Sequence, residues 1–296
     1  MVRLTASTDI VFTEIGARLR AHRLGRSLTP EALADRLGIS RAALYRAEKG
    51  EITKIEMLTA IANELNVSLP TLLGVGIEYV PNAIGFFERM RQIEEDCEQI
   101  VGLFSPISYL VTTSDYDRVL KEVLCESVPG DSHEDVEGIM SILLERKRKY
   151  NLKRPLLASI ISDADLARFM RDGLEGRTGL PADLVAHRRR LAVEEVRHIV
   201  DMLRDPEIGV QIGVAREPIP STSFQIVRKS GKATLTVSPF RLGHSPNIRI
   251  GVGFITSAPE AIDLHEQIAH RLWDSSLKGG EAADHVEALI RQYGTA

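Results

Sequence analysis

The placing of glycine, serine and apolar residues between Leu28 and Gly50 constrains this chain more than any other feature. Thr29 offers a hydroxyl to the orphan N–H groups of a helix start, and Pro30 fits the first helical position. Leu33, Ala34 and Leu37 then share one face. Gly38 stands where a helix ends in a left-handed residue, a conformation that costs glycine little. Ile39 fills the angle that follows. Ser40 caps a second short helix, which carries Leu44 and Ala47 inward and Arg41, Ala42, Tyr45 and Arg46 outward. The spacing predicts two helices joined by a tight turn, crossing closely over small Ala34.

Apolar periodicity extends this pair into a five-helix domain. A first helix over 11–24 turns Val11, Phe12, Ile15 and Leu19 inward, and a fourth over 54–65 carries Leu58, Ile61, Ala62 and Leu65 on one stripe. Ser68 and Pro70 start a short fifth helix that ends at Leu73. Gly74-Val75-Gly76, then Pro81, mark a boundary. The chain therefore divides into 1–76 and 77–296.

The motifs Leu33-Ala34, Gly38-Ile39-Ser40 and Glu48-Lys49-Gly50 occur at fixed offsets. From about Ile15 to Gly74 the sequence resembles the helix-turn-helix of the Xre / lambda-repressor-like family of transcriptional regulators. The resemblance implies an all-α DNA-binding headpiece, double-stranded DNA as partner, and a structural ion pair between Arg23 and Glu48. It departs from the family at one point. The glutamine that often opens the second helix and bonds a phosphate is Pro30 here, which leaves that contact to another group such as Thr29.

On this reading Arg41 and Arg46 are candidates for bidentate bonds to guanine O6 and N7, and Ala42 for a thymine methyl. Tyr45 can pack on a base or reach a phosphate. Arg18, Arg26, Lys49 and Lys54 are candidate phosphate contacts, with the backbone N–H groups at the starts capped by Thr29 and Ser40.

Charge is distributed to match. The chain of 296 residues has a net charge of −4, but residues 15–54 hold nine Lys/Arg against four acids, whereas 77–296 hold 27 basic and 33 acidic residues. A positive headpiece on an acidic body favours specific sites over loose binding. The chain is long enough for a second core, and its 44% hydrophobic content is globular. No run of about 18 apolar residues exists, so no membrane span is expected. The opening residues carry no secretory segment, which points to the cytoplasm. Cys97 and Cys125 form no Cys-x-x-Cys and read as buried small side chains.

Residues 77–296 read as mixed α/β. Helices are expected over 82–99, from Ser114, from Ser132, from Ser162, over 181–204, and at about 259–277 and 281–293. Strands are expected over 100–104, 155–161, 208–214, 224–228, 233–237 and 248–254, with Lys229-Ser230-Gly231-Lys232 as a hairpin turn. Residues 140–292 resemble the domain of unknown function that follows such headpieces in actinobacterial regulators. Residues 100–126 have the strand-then-helix look of a phospholipase-D-like fold, without its His-x-Lys.

Other motifs are set aside. His265 and His270 are five apart, so their rings diverge on a helix instead of sharing a zinc. No phosphate loop, dinucleotide fingerprint or nucleophile motif is visible, so neither a cofactor, a metal nor an enzyme activity is expected. The basic runs 146–149, with Lys153-Arg154, and 188–190 read as solvated helix faces, the alternative being a hold on extra DNA or an anionic effector. The loop 238–246, with Phe240, Arg241 and His244, is either a ligand lid or a connector. The whole describes a cytoplasmic, homodimeric regulator whose second domain binds a small-molecule effector or a protein partner. The alternative is an antitoxin-like repressor whose large domain holds another protein.

Overall fold

The computed structural model describes residues 12–52 and 54–294 and divides the chain between Glu78 and Tyr79. In the first unit, five helices follow in order: α1 (Phe12–Leu24), α2 (Pro30–Leu37), α3 (Arg41–Glu48), α4 (Ile55–Glu64) and α5 (Leu69–Leu73). Ile15, Leu19, Leu33, Leu44, Ile61 and Leu72 make a fully buried core. Gly16 lets α1 approach α3, since a Cβ there would meet the Glu48 carbonyl oxygen at 2.5 Å. Phe12 departs from the expected inward stripe and is half-exposed, because it occupies the first turn of α1, beyond the layer set by Ile15. Val11 lies outside the described residues.

The second unit is built on a mixed sheet of eight strands, in the order β1-β7-β6-β5-β2-β3-β4-β8. Its elements in chain order are β1 (Ile77–Val80, spanning the division), α6 (Ala83–Glu94), β2 (Gln99–Leu103), α7 (Ser114–Glu126), α8 (His133–Lys153), β3 (Leu156–Ser162), α9 (Asp163–Asp172) and α10 (Ala182–Arg204). These are followed by β4 (Val210–Ala215), β5 (Ser223–Lys229), β6 (Lys232–Ser238), β7 (Gly253–Thr256), α11 (Pro259–Ser275), β8 (Leu277–Lys278) and α12 (Gly279–Tyr293). The central strands β2, β3 and β4 are parallel, joined by helical crossovers, and β5 pairs antiparallel to β2.

Alternation along the strands sends side chains to two layers. Phe224, Ile226, Leu235 and Ile160 pack with Ile262, Ala269 and Leu272 of α11. On the opposite face, Ile100, Leu157 and Val227 pack with Tyr150 of α8. A larger cluster joins α6, α7, α8, α9, α10 and α12.

Several elements differ from the sequence expectation. The helix expected to reach residue 99 stops at Glu94, because Asp96 turns the chain with φ 58° and β2 begins at Gln99. The strand expected over 248–254 is reduced to β7. The Asn247 side chain takes both hydrogen bonds of Ile250, at 2.6 and 3.1 Å, and holds the preceding residues as a turn. Strand β1 escaped notice because its buried residues include Glu78 while Ile77 and Tyr79 face outward, which inverts the usual pattern.

The basic runs are solvated only in part: Arg148 and Arg190 are exposed, but three of their cations turn inward. Arg146, Lys147 and Arg188 are buried. Arg146 grips Glu94 through two nitrogens at 2.9 and 2.7 Å, and Lys147 Nζ reaches both Asp117 oxygens at 2.8 Å. Arg188 donates to both oxygens of Glu126 at 2.6 Å. Helical periodicity places each cation inward, and the carboxylates that compensate them lie on other helices, far off in sequence. Removing one partner of such a pair strands a buried charge. Glu126→Ala is expected to lower unfolding stability by about 3–5 kcal/mol, whereas Glu145→Ala, which strips the exposed Arg148 of its partner, is expected to leave stability nearly unchanged. Chemical denaturation of both variants checks this.

Candidate nucleic-acid interface

Two capped helix starts and one exposed helix face define the candidate interface. Thr29 Oγ1 accepts from Ala32 N at 3.1 Å, and Ser40 Oγ accepts from Ala43 N at 3.1 Å. Gly38 closes α2 with φ 65°, and its N–H and that of Ile39 return to the carbonyls of Asp35 and Ala34. These caps fix where α3 begins and leave further backbone N–H groups at each start pointing outward.

The angle of α3 is fixed from beneath by a buried ion pair. Arg23 Nε donates to Glu48 Oε1 at 2.5 Å and Arg23 Nη2 to Glu48 Oε2 at 3.3 Å, while Nη1 reaches the Leu28 carbonyl at 2.7 Å. One guanidinium therefore ties α1, the loop before α2 and the end of α3. Both side chains are almost fully buried, at 5% and 7% exposure.

With Leu44 and Ala47 packed inward, Arg41, Ala42, Tyr45 and Arg46 are all exposed on the outer side of α3. Lys49 Nζ lies 4.6 Å from the Tyr45 ring centroid, a cation–π contact that sets both groups on the same surface. Arg26, Arg46 and Lys54 are exposed and have no ion-pair partner among the described residues.

Two of the candidates are engaged by acids. Arg18 is half-buried, with Nε 3.3 Å from Glu78, Nη2 3.1 Å from Glu14 and Nη1 3.5 Å from the Leu73 carbonyl. Carboxylates on two sides thus pair with this candidate phosphate contact within the headpiece. The acid responsible, Glu78, lies 60 residues away in β1, beyond the reach of local pattern. Arg41 pairs with Glu31 at 2.8 Å across the α2–α3 surface, and both side chains are exposed. The Glu31 carboxyl is held below the usual range, first by the backbone N–H at its own helix start and further by Arg41. Glu31 therefore occupies the electropositive start of α2, where a phosphate oxygen would otherwise sit.

Two outcomes follow for the headpiece. Glu48→Ala is expected to cost about 3–5 kcal/mol of stability by leaving Arg23 buried and unpaired, while Arg41→Ala leaves the unfolding midpoint nearly unchanged; thermal unfolding of the two variants decides. Glu31→Gln is expected to release Arg41 and the α2 start, tightening DNA binding roughly two- to fivefold at fixed salt, as read by fluorescence anisotropy with a labelled duplex.

Comparison with known proteins bears on the same segment. A family model described as helix-turn-helix matches residues 19–72. No curated protein matches the chain. Among solved structures, the chain is similar to TrmBL2, an archaeal chromatin protein, at 9% identity and a TM-score of 0.33, covering 88% of this chain and 93% of that one. It is also similar to the apo form of ComR from S. thermophilus, at 17% identity and a TM-score of 0.21, covering 65% and 73%. Among the described residues no helix is long and apolar enough to cross a membrane. Residues 19–72 therefore match a helix-turn-helix family, the segment in which the sequence resembles the Xre / lambda-repressor-like headpieces.

Proposed function

We propose that α3 enters the major groove of a specific operator and that the chain binds there as a homodimer. The observation that carries this reading is the outer face of α3. Four side chains suited to base edges stand together, exposed, on a helix whose start is capped by Ser40 and whose angle is held by Arg23 and Glu48.

The division of labour follows from chemistry. Arg46 forms no ion pair among the described residues and is free to form a bidentate bond to a guanine. Arg41 does the same after exchanging Glu31 for the base. Ala42 touches a thymine methyl, and Tyr45, backed by Lys49, packs at the groove wall. Arg26, Lys49 and Lys54 neutralise phosphates, with the backbone N–H groups after Ser40 and, once Glu31 gives way, the N–H at the start of α2. The side chains of Thr29 and Ser40 hold their helix starts and leave the phosphate bonds to the backbone.

A single headpiece reads only a few base pairs, so two headpieces on half-sites about 34 Å apart supply the specificity. The second unit acts by binding an effector that shifts the population of DNA-competent dimers, and it is not an enzyme. We place this action in the cytoplasm.

Selection of bound sequences from random duplexes tests the reading. The wild-type chain is expected to recover a two-fold symmetric motif. Arg46→Ala is expected to lose preference at one position per half-site, at a cost of about 1–3 kcal/mol for the cognate site. Recovery of no motif, or of one indifferent to Arg46, would overturn it.

A further inference from the structure

Inside the second unit, the α6/α8 face of the sheet holds a cavity of about 80 Å³. It opens beside Phe104, just past the end of β2, and is lined by Gln225 of β5, Thr236 of β6, Arg146 of α8 and the segment 105–110. The carboxyl ends of parallel strands, where neighbouring connections diverge, are a general place for ligands in sheets of this kind. The loop 238–246 closes one wall through Phe240, Arg241 and Leu242.

The polar atoms of this wall are unfinished. Ser108 Oγ and Gln225 Oε1 have no hydrogen-bond partner among the described residues, and Ser108 is only 1% and Gln225 2% exposed. Burying such groups unpaired is costly. The orientation of the Gln225 amide is dictated by its neighbour. Its Nε2 lies 2.7 Å from Glu94 Oε1. A carboxylate only accepts, so the NH2 must face Glu94 and the carbonyl oxygen is left to seek a donor. Glu94 also receives Nε and Nη2 of Arg146, while Arg146 Nη1 has no acceptor among the described residues. The wall thus presents one amide acceptor, the hydroxyls of Ser108 and Tyr109, and one spare guanidinium N–H.

Charge restricts what these groups can hold. Arg146 is held bidentately by Glu94 and Arg241 is exposed to solvent, so the buried part of the wall carries no net charge for an ion to neutralise. The rest is apolar, with Phe87, Met90, Phe104 and Phe240 around it. The volume is several times that of a single water site.

We propose that this cavity binds a small uncharged molecule carrying an amide or hydroxyl group, whose hydrogen is donated to Gln225 Oε1 and whose oxygen accepts from Arg146 Nη1 or Ser108. The binding stands on the second unit alone. Its role as the effector site rests on the regulator reading given above.

Butyramide and butyrate, nearly identical in shape, test it on the full chain by saturation-transfer NMR titration. Butyramide is expected to bind with a dissociation constant on the order of millimolar and at least tenfold more tightly than butyrate. Gln225→Leu and Ser108→Ala are each expected to weaken butyramide at least fivefold. Ser108→Ala is also expected to leave the unfolding midpoint of the free protein unchanged or raised, because it removes a hydroxyl that has no partner. Equal binding of the two probes, binding of neither, or binding indifferent to both substitutions would overturn the proposal. Anisotropy with selected duplexes on the same samples separates the two readings. A chain that grips DNA but not butyramide lacks the site and keeps the regulator function, and the reverse result keeps the site and removes the function.

Discussion

The buried contact between Arg23 and Glu48 is the constraint on which the candidate interface depends. Helix α3 is only eight residues long, too short to hold itself in water. Its inner face contributes little more than Leu44 and Ala47 to the core. The guanidinium of Arg23 supplies what is missing. It joins the end of α3 to α1 by two hydrogen bonds and to the Leu28 carbonyl by a third. The close approach over Gly16 brings the same two helices together. The outward side chains from Arg41 to Arg46 are presented at one angle because these contacts leave α3 little freedom to turn.

Electrostatics in this chain is mostly internal. The local excess of positive charge suggests a broad basic face, yet Arg18, Arg23, Arg36 and Arg41 are each matched to a carboxylate. The basic surface narrows to Arg26, Arg46, Lys49 and Lys54. In the second unit, Arg146, Lys147 and Arg188 similarly turn inward and stitch helices together through Glu94, Asp117 and Glu126. Such pairs contribute little net stability over apolar packing, but each is costly to break on one side. Their consequence here is geometric: they fix which helix faces which, and in the second unit Gln225 Oε1 and Ser108 Oγ are left without partners among the described residues, beside a cavity.

What was legible in the sequence was local. The caps at Thr29 and Ser40, the left-handed Gly38 and the turn at Ser230-Gly231 are each dictated by neighbours a few residues away, and each appears in the structure. The α/β character of the second unit was legible from strands that alternate and helices that cap. Long-range partners were not. Nothing near Arg18 announces Glu78, and nothing near Arg188 announces Glu126. Gln225 carried a faint signal, a polar residue between Phe224 and Ile226 in a strand buried on both faces. Periodicity showed that it pointed away from Phe224, but not that helices cover that side of the sheet.

The central claim is that α3 reads the major groove. Methylation by dimethyl sulfate at guanine N7, which lies in that groove, addresses it directly on a selected duplex. The account predicts protection of at least one guanine in each half-site by the wild-type chain, lost when Arg46 is replaced by alanine at saturating protein. Undiminished methylation at every guanine in a fully bound duplex would contradict it.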